Sequence, residues 1–159
     1  MLERTLVFLK PDAVQRGLVG RILTRFERPG LKIVAAKMMQ VSEKLAKEHY
    51  GEHQGEKFFP SLINFITSAP IFLVVFEGID AIANVRKIVG KTYPDKSEPG
   101  TIRGDYAHLT KTHGNKKNIG VPNLIHASSG KKAAKEEINR FFDKSEISSY
   151  SRCDDDFVI

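Results

Sequence analysis

The stretch ERTLVFLKPDAVQRGLVGRILTRFERPG, residues 3–30, decides how the chain is read. Residues 3–9 are β-rich and mostly apolar, and Pro11-Asp12 marks the end of that strand and the start of a short loop. Leu18, Val19, Ile22, Leu23 and Phe26 then recur at helical spacing, with Arg21, Arg25 and Glu27 between them, until Pro29-Gly30 stops the pattern. A strand feeding an amphipathic helix opens an α/β layer. The next segment continues it: residues 31–41 read as a second strand with Leu31, Ile33 and Ala35 on one face, and Ser42 offers an N-cap for a helical stretch to Tyr50.

Working further outward, residues 58–67 read as a helix whose proline sits near the start, where a missing N–H does little harm. Residues 71–77 are a third strand, and Asp80 is placed to cap a helix carrying Ile82, Val85 and Ile88 that Gly90 ends. Residues 91–103 hold two prolines and a glycine, a long loop of the kind that carries function. Residues 105–109 read as a weaker fourth strand, and a final helix starts at Ser128 or Ser129 with Ala133, Ala134, Ile138, Phe141 and Phe142 on one side. Phe157, Val158 and Ile159 are expected to tie the tail down. About four strands alternating with helices predict an α/β (α+β) fold of the ferredoxin-like, split βαβ kind, a four-stranded antiparallel sheet with helices on one face. No repeat or low-complexity linker interrupts it, so residues 1–159 are expected to form one domain.

Composition sets the outer bounds. Of 159 residues 41% are hydrophobic and 28% charged, the balance of a globular chain and not of a disordered one. The single cysteine, Cys153, cannot form an internal disulfide, the first twenty residues lack the zones of a signal peptide, and apolar runs such as 71–76 are far short of the roughly 20 residues that span a bilayer. A cytoplasmic protein outside the membrane is the expectation. The formal net charge of +6 favours anionic partners. The lysine pairs 116-117 and 131-132 are dispersed and read as solvated surface, and no arginine-rich or aromatic-interleaved run marks a nucleic-acid groove.

The residues that could do chemistry are few. The chain has no GxxxxGK[ST] and no GxGxxG, so the common phosphate loops are absent. His49 and His53 are four apart, but Gly51 weakens the helix between them and no third metal ligand is evident; an exposed pair is the plainer reading, as it is for His108 and His113. Cys153 precedes three aspartates that disfavour a thiolate. Arg86 and Arg103 offer forked donors for phosphate oxygens, Lys10 ends an apolar strand, and Thr92 has a hydroxyl beyond Gly90, though each alone could be ordinary surface. His126, in NLIHAS, is the best nucleophile: an imidazole can carry a covalent intermediate, and the small Ala127 and Ser128 leave room for a phosphate.

KPDAVQRGLVGRI, HY, FFPSL, the arginine of NVRKIVGKT, PGTIRGD and NLIHAS, in that order, resemble nucleoside diphosphate kinase over nearly the whole chain, from Arg4 to Cys153. The resemblance implies a ping-pong transfer of the γ-phosphoryl group between nucleoside tri- and diphosphates through a phosphohistidine at His126. It implies Lys10 at the transferring phosphate, Arg86, Thr92 and Arg103 on the β and γ phosphates, and Tyr50 near the histidine. It further implies that Phe58 and Leu62 clamp the base, that Asn123 meets the sugar 3′ hydroxyl, and that Ser128 and Glu137 orient the ring. Broad base and sugar specificity is implied, with Mg²⁺ carried by the nucleotide phosphates, no protein metal site, and a homohexamer or tetramer.

The chain departs from the family at two places. His126-Ala127-Ser128-Ser129 stands where relatives usually show His-Gly-Ser-Asp, and about ten residues are gained within 106–122, similar to an insertion in archaeal members. Two rival readings are a basic nucleotide- or nucleic-acid-binding module of the same fold and a signalling phosphocarrier. The retained motif set speaks against the first, and the strands speak against the second, which usually sits on a helical bundle.

Overall fold

The computed structural model describes residues 1–117 and 121–158. The chain runs β1 (Leu2–Leu9), α1 (Pro11–Gln15), α2 (Val19–Glu27), β2 (Lys32–Met39), α3 (Glu43–His49), α4 (Phe59–Ile66), β3 (Ile71–Ile79), α5 (Ala81–Val89), α6 (Ile102–Tyr106), α7 (Lys111–Lys117), β4 (Ile125–Ala127) and α8 (Lys131–Phe141). The four strands form one sheet in the order β2-β3-β1-β4, every pairing antiparallel. This is the ferredoxin-like arrangement.

β1 lies in the interior of the sheet, and its residues Thr5 to Leu9 are all buried. Side chains alternate across a strand, so Val7 and Leu9 go to one face and Leu6 and Phe8 to the other. Both faces therefore need cover. On the first, Ala13, Ile22 and Phe26 of α1 and α2 meet Ala81, Val85 and Val89 of α5; on the second, Ala46 of α3, Ile63 and Ile66 of α4 and Phe141 of α8 close over Leu6 and Phe8. The expectation of helices on one face is corrected accordingly. Burying a Leu or Phe side chain is worth about 1.5–3 kcal/mol, so a strand apolar on both sides cannot leave one face to water.

Four local expectations also change. Pro11 does not open a loop but occupies the first position of α1, where its fixed φ suits a helix. A register shift between Ile33 and Ala35 turns β2 over: Leu31 and Ile33 pack with the α2/α5 layer, whereas Val34 and Ala35 pack on the opposite one. Residues 105–109 are not a strand; Thr101 accepts the Gly104 N–H at 3.1 Å and caps α6, which buries Ile102 and Arg103. The fourth strand is instead the three residues around His126.

Asp80 stands before α5 but, at φ 46, caps nothing with its side chain, which takes the N-terminal ammonium at 3.1 Å; the Ile82 N–H goes to the Glu3 carboxylate. Nor does Phe157 anchor the tail, being 89% exposed, and the expectation for Ile159 lies outside the described residues. The tail is held by polar contacts along β2: Ser148 N–H to Val34 O at 2.7 Å, Tyr150 hydroxyl to Ile33 O at 2.7 Å, and Arg152 to Gly30 O at 2.8 Å. Part of the segment 106–122 forms α7, and its residues 118–120 lie outside the described residues. Among the described residues no helix is long and apolar enough to cross a membrane.

Candidate active site

His126 owes its position to register. It pairs with Phe8 across β1 and β4, and the two rings stack with centroids 4.7 Å apart and planes 17° apart. His49 meets the same imidazole edge-on at 4.7 Å. The third constraint is polar: His126 Nε2 lies 3.0 Å from Glu137 Oε2, on the inward side of α8, and Ser128 Oγ donates to the same oxygen at 2.6 Å while accepting the Leu6 N–H at 3.3 Å. Burial pushes the Glu137 carboxyl up, but the hydrogen bonds from His126 and Ser128 outweigh it and hold the group below the usual carboxylate range. A carboxylate can only accept, so the hydrogen-bond network assigns the ring proton to Nε2 and leaves the lone pair on Nδ1. Glu137 thus bonds the ring directly, and Ser128 reaches it only through the Glu137 carboxylate. Ser128 is spent on this contact and does not cap α8, whose N-cap position is Gly130.

The chain reaches His126 through a strained turn. Ile125 N–H returns to Asn123 O at 2.8 Å across Leu124, which is fully buried at φ 70. A bulky residue in that region costs on the order of 1–3 kcal/mol and persists only where its surroundings over-determine it. They do so here. Lys10 N–H donates to Leu124 O at 2.8 Å, Asp12 Oδ2 accepts the Leu124 N–H at 3.0 Å, and Lys10 Nζ reaches Asn123 Oδ1 at 2.8 Å. Asn123 Nδ2 in turn donates to Thr92 O at 2.8 Å.

Arg103 is the largest strut. Its Nε donates to Asn123 O at 3.1 Å, one terminal nitrogen to Gly90 O and Lys91 O at 3.2 and 3.1 Å, and the other to Ile125 O at 2.6 Å. A guanidinium has five N–H donors, so one is left for a ligand. Burial, and then the charge of Arg86, lower its pKa to about 10, which keeps it cationic at neutral pH. Lys10 is lowered to about 8, first by burial and then by Arg103, with Asp12 opposing. The Arg86 side chain is exposed and makes no hydrogen bond or ion pair among the described residues.

Lys10, Arg86, Thr92, Arg103, Asn123 and His126 line one lobe of a cleft, about 530 Å³ in volume. Lys10, Thr92 and Asn123 also border a second lobe of about 460 Å³, walled by Tyr50, Phe58, Leu62, Phe65 and Tyr93 and bordered by Lys111 and Val121 from the segment 106–122. The structure therefore brings every site residue expected from the sequence to one cleft or to the ring behind it. Phe58 is 44% exposed there, while Tyr50 is buried and its hydroxyl has no hydrogen-bond partner among the described residues. Ala127 packs against the core, and Ser129, the other departure from the usual motif, is exposed.

Two residues escaped the sequence reading. His49 is not exposed: it packs among Phe8, Tyr50, Phe141 and His126, and burial, then the neighbouring His126, lower its pKa to about 3, so it stays neutral. Asp12 was read only as punctuation. A histidine on a helix after the apolar Leu45 and Ala46 was a weak signal, and a contact across 112 residues leaves none. The run His49-x-x-Glu52-His53 has the spacing of a metal-binding helix, but α3 ends at His49 and His53 lies over Tyr50 instead. His49, His126 and Glu137 do present ligand atoms within 4.8 Å of one another. The Arg140 guanidinium, 3.5 Å from His49 Nδ1, sets a positive charge against a cation there.

A family model described as nucleoside diphosphate kinase matches residues 3–147. The chain belongs to the nucleoside diphosphate kinase family. It is a phosphotransferase acting on nucleotides, and its likeness to other nucleoside diphosphate kinases runs from end to end. The enzyme of Listeria monocytogenes is 50% identical over 157 residues, covering 99% of this chain and 100% of that one. A transition state mimic of the Borrelia burgdorferi enzyme with bound vanadate and ADP superposes with a TM-score of 0.93 at 45% identity, covering 96% and 94% of the two chains. The halophilic enzyme of Halobacterium salinarum, in complex with CDP, gives 0.87 at 46% identity, covering 97% and 96%.

Proposed function

We propose that the chain moves the γ-phosphoryl group of a nucleoside triphosphate to a nucleoside diphosphate in two half-reactions through His126. In the first, the Nδ1 lone pair attacks Pγ, the bond from Pγ to the bridging oxygen breaks, and the diphosphate leaves. In the second, a terminal oxygen of another diphosphate attacks the phosphorus, and the N–P bond breaks. The observation that carries this reading is the His126–Glu137–Ser128 chain beside a cationic lobe: it commits Nε2 to a carboxylate, leaves Nδ1 as the nucleophile, and supplies a negative partner for the ring as charge builds on it.

The roles of the other residues follow their chemistry. Lys10, Arg86 and the spare donor of Arg103 neutralise phosphate charge, and Thr92 adds a hydroxyl. Asn123, with its amide oxygen on Lys10, meets the sugar hydroxyl; Phe58 and Leu62 hold the base by stacking and apolar contact beside Tyr50. Stacking reads no base edge, so all common nucleosides are accepted. Among the described residues Glu52 is the one carboxylate lining the phosphate lobe, a poor cage for a hard cation. Mg²⁺ therefore arrives on the nucleotide, where it offsets phosphate charge. The chain is one such domain over 1–159, assembling as a homohexamer, with no need of nucleic acid. The unpaired exposed thiol of Cys153 fits the reducing cytoplasm.

Incubation with ATP and Mg²⁺ is expected to leave an acid-labile phosphate on the protein that GDP discharges, and His126→Ala is expected to abolish both. Label that persists in the variant would move the nucleophile elsewhere. A native protein that binds nucleotide but never labels would favour the binding-module reading.

A further inference from the structure

We infer that Asp12 is a positioning residue for phosphoryl transfer: its carboxylate clamps the strained Asn123–Ile125 turn that delivers His126 and the sugar-binding amide to the cleft. This rests on the nucleophile assignment above. Asp12 sits in the first turn of α1, 112 residues from its partner, and Oδ2 accepts the Leu124 N–H at 3.0 Å. Leu124 cannot relax, because at φ 70 a leucine has no neighbouring stable conformation that keeps Asn123 O on Ile125 N–H. The turn is gripped from both sides. Lys10 and Asp12, two residues apart at the start of α1, hold the Leu124 carbonyl and amide respectively, and Arg103 holds the carbonyls of Asn123 and Ile125.

The carboxylate is an expensive choice for a purely structural clamp. The residue is half-buried, its inaccessible Oδ1 has no hydrogen-bond partner among the described residues, and desolvation pushes its pKa up against the pull of Lys10 and the backbone amides. What it adds is a negative charge next to Lys10 and Arg103, which crowd each other in the phosphate lobe. Without it, the repulsion between the two cations is offset only by neutral acceptors such as those of Asn123 until a nucleotide arrives. Asp12 itself touches neither reacting atom, so its effect must pass through the turn.

The test uses two variants and two readouts. Asp12→Ala removes the acceptor, and Asp12→Asn keeps an amide oxygen that can take the Leu124 N–H. In the nucleotide-free protein, the Leu124 amide is expected to exchange with solvent about 30-fold faster or more in Asp12→Ala, while the amides of Val74, Val75 and Phe76 in β3 keep native rates. Phosphohistidine formation from ATP is expected to slow about 100-fold in Asp12→Ala, the scale of a small misplacement of reacting groups, and to recover to within about tenfold in Asp12→Asn. Native exchange at Leu124 in Asp12→Ala, exchange quickened equally in β3, or Asp12→Asn as slow as Asp12→Ala would each overturn the clamp. The exchange readout involves no substrate. A native protein that fails to label would therefore sink the nucleophile assignment while leaving the turn measurement to stand or fall separately.

Discussion

The two lobes of the cleft are built on opposite plans. In the cationic lobe, the proposed phosphate site, Lys10, Arg103 and Asn123 are all buried and tied to one another or to backbone carbonyls, so the two cations are fixed before any ligand arrives. The second lobe, the proposed nucleoside site, is more apolar and loosely furnished: Phe58 is 44% exposed and tilts against His53 at 5.4 Å. Preorganised charge lowers a barrier because it needs no rearrangement as the transition state forms. An open stacking platform has the complementary virtue of admitting any base. Precision is spent where every substrate is alike.

That contrast can be broken in graded steps. Arg103→Ala should do most damage, lowering kcat by about 10²–10³-fold, since it removes a phosphate donor together with the struts on Asn123 and Ile125. The ratio of kcat/KM values for ADP, GDP and CDP should stay within about twofold, because phosphate contacts carry no base information. Altered base preference with native turnover would put Arg103 in the wrong lobe.

A pH profile gives the next effect. Lys10 binds anions only as the ammonium, and burial beside Arg103 lowers its pKa from 10.5 to about 8. The protonated fraction therefore falls as pH rises through about 8, and kcat/KM, which reports the free protein, should decline about tenfold per unit above that point. Bound phosphate restores the charge, so the limb in kcat should lie at higher pH. Lys10→Arg should remove the limb. A limb unmoved by that substitution belongs to another group.

The smallest effect is expected at Phe58. Phe58→Ala should raise KM about 5- to 30-fold, equivalent to about 1–2 kcal/mol of lost stacking, by similar factors for ADP, GDP and CDP, with kcat nearly unchanged. A loss confined to one base would mean that the lobe reads an edge and is not a neutral platform.

Much of this was legible before any coordinates. The apolar run of β1, the amphipathic spacing of α2, Ser42 at the start of α3 and Gly90 at the end of α5 are local signals, and each element formed where they lie. The cleft residues were legible because the motifs that carry them keep their order and type. What misled were features whose meaning depends on a distant partner. Residues 105–109 have strand-like composition, but Thr101 and the buried Ile102 and Arg103 draw the first two into a helix, and the rest pair with no strand. Residues 125–127 are too short to announce a strand, and become one only because β1 offers an edge. The bulge in β2 flips Ala35 with no mark in the alternation that precedes it. His49 looked like a solvent-facing partner of His53 until α4 and α8 closed over the second face.

The sequence by itself determined the local periodicities, the absence of the common phosphate loops, the basic balance that favours anions, and the identity of the groups able to carry phosphoryl chemistry. These depend on residue type and spacing within one or two turns. Only the tertiary structure decided which nitrogen of His126 is free, that Arg103 spends four of its five donors on backbone carbonyls, and that Asp12 holds a strained turn 112 residues away. The physical reason is one of range. A propensity acts between neighbours along the chain, whereas a hydrogen bond needs its partners within about 3 Å in space, and that condition is met only after the sheet has chosen its order and register.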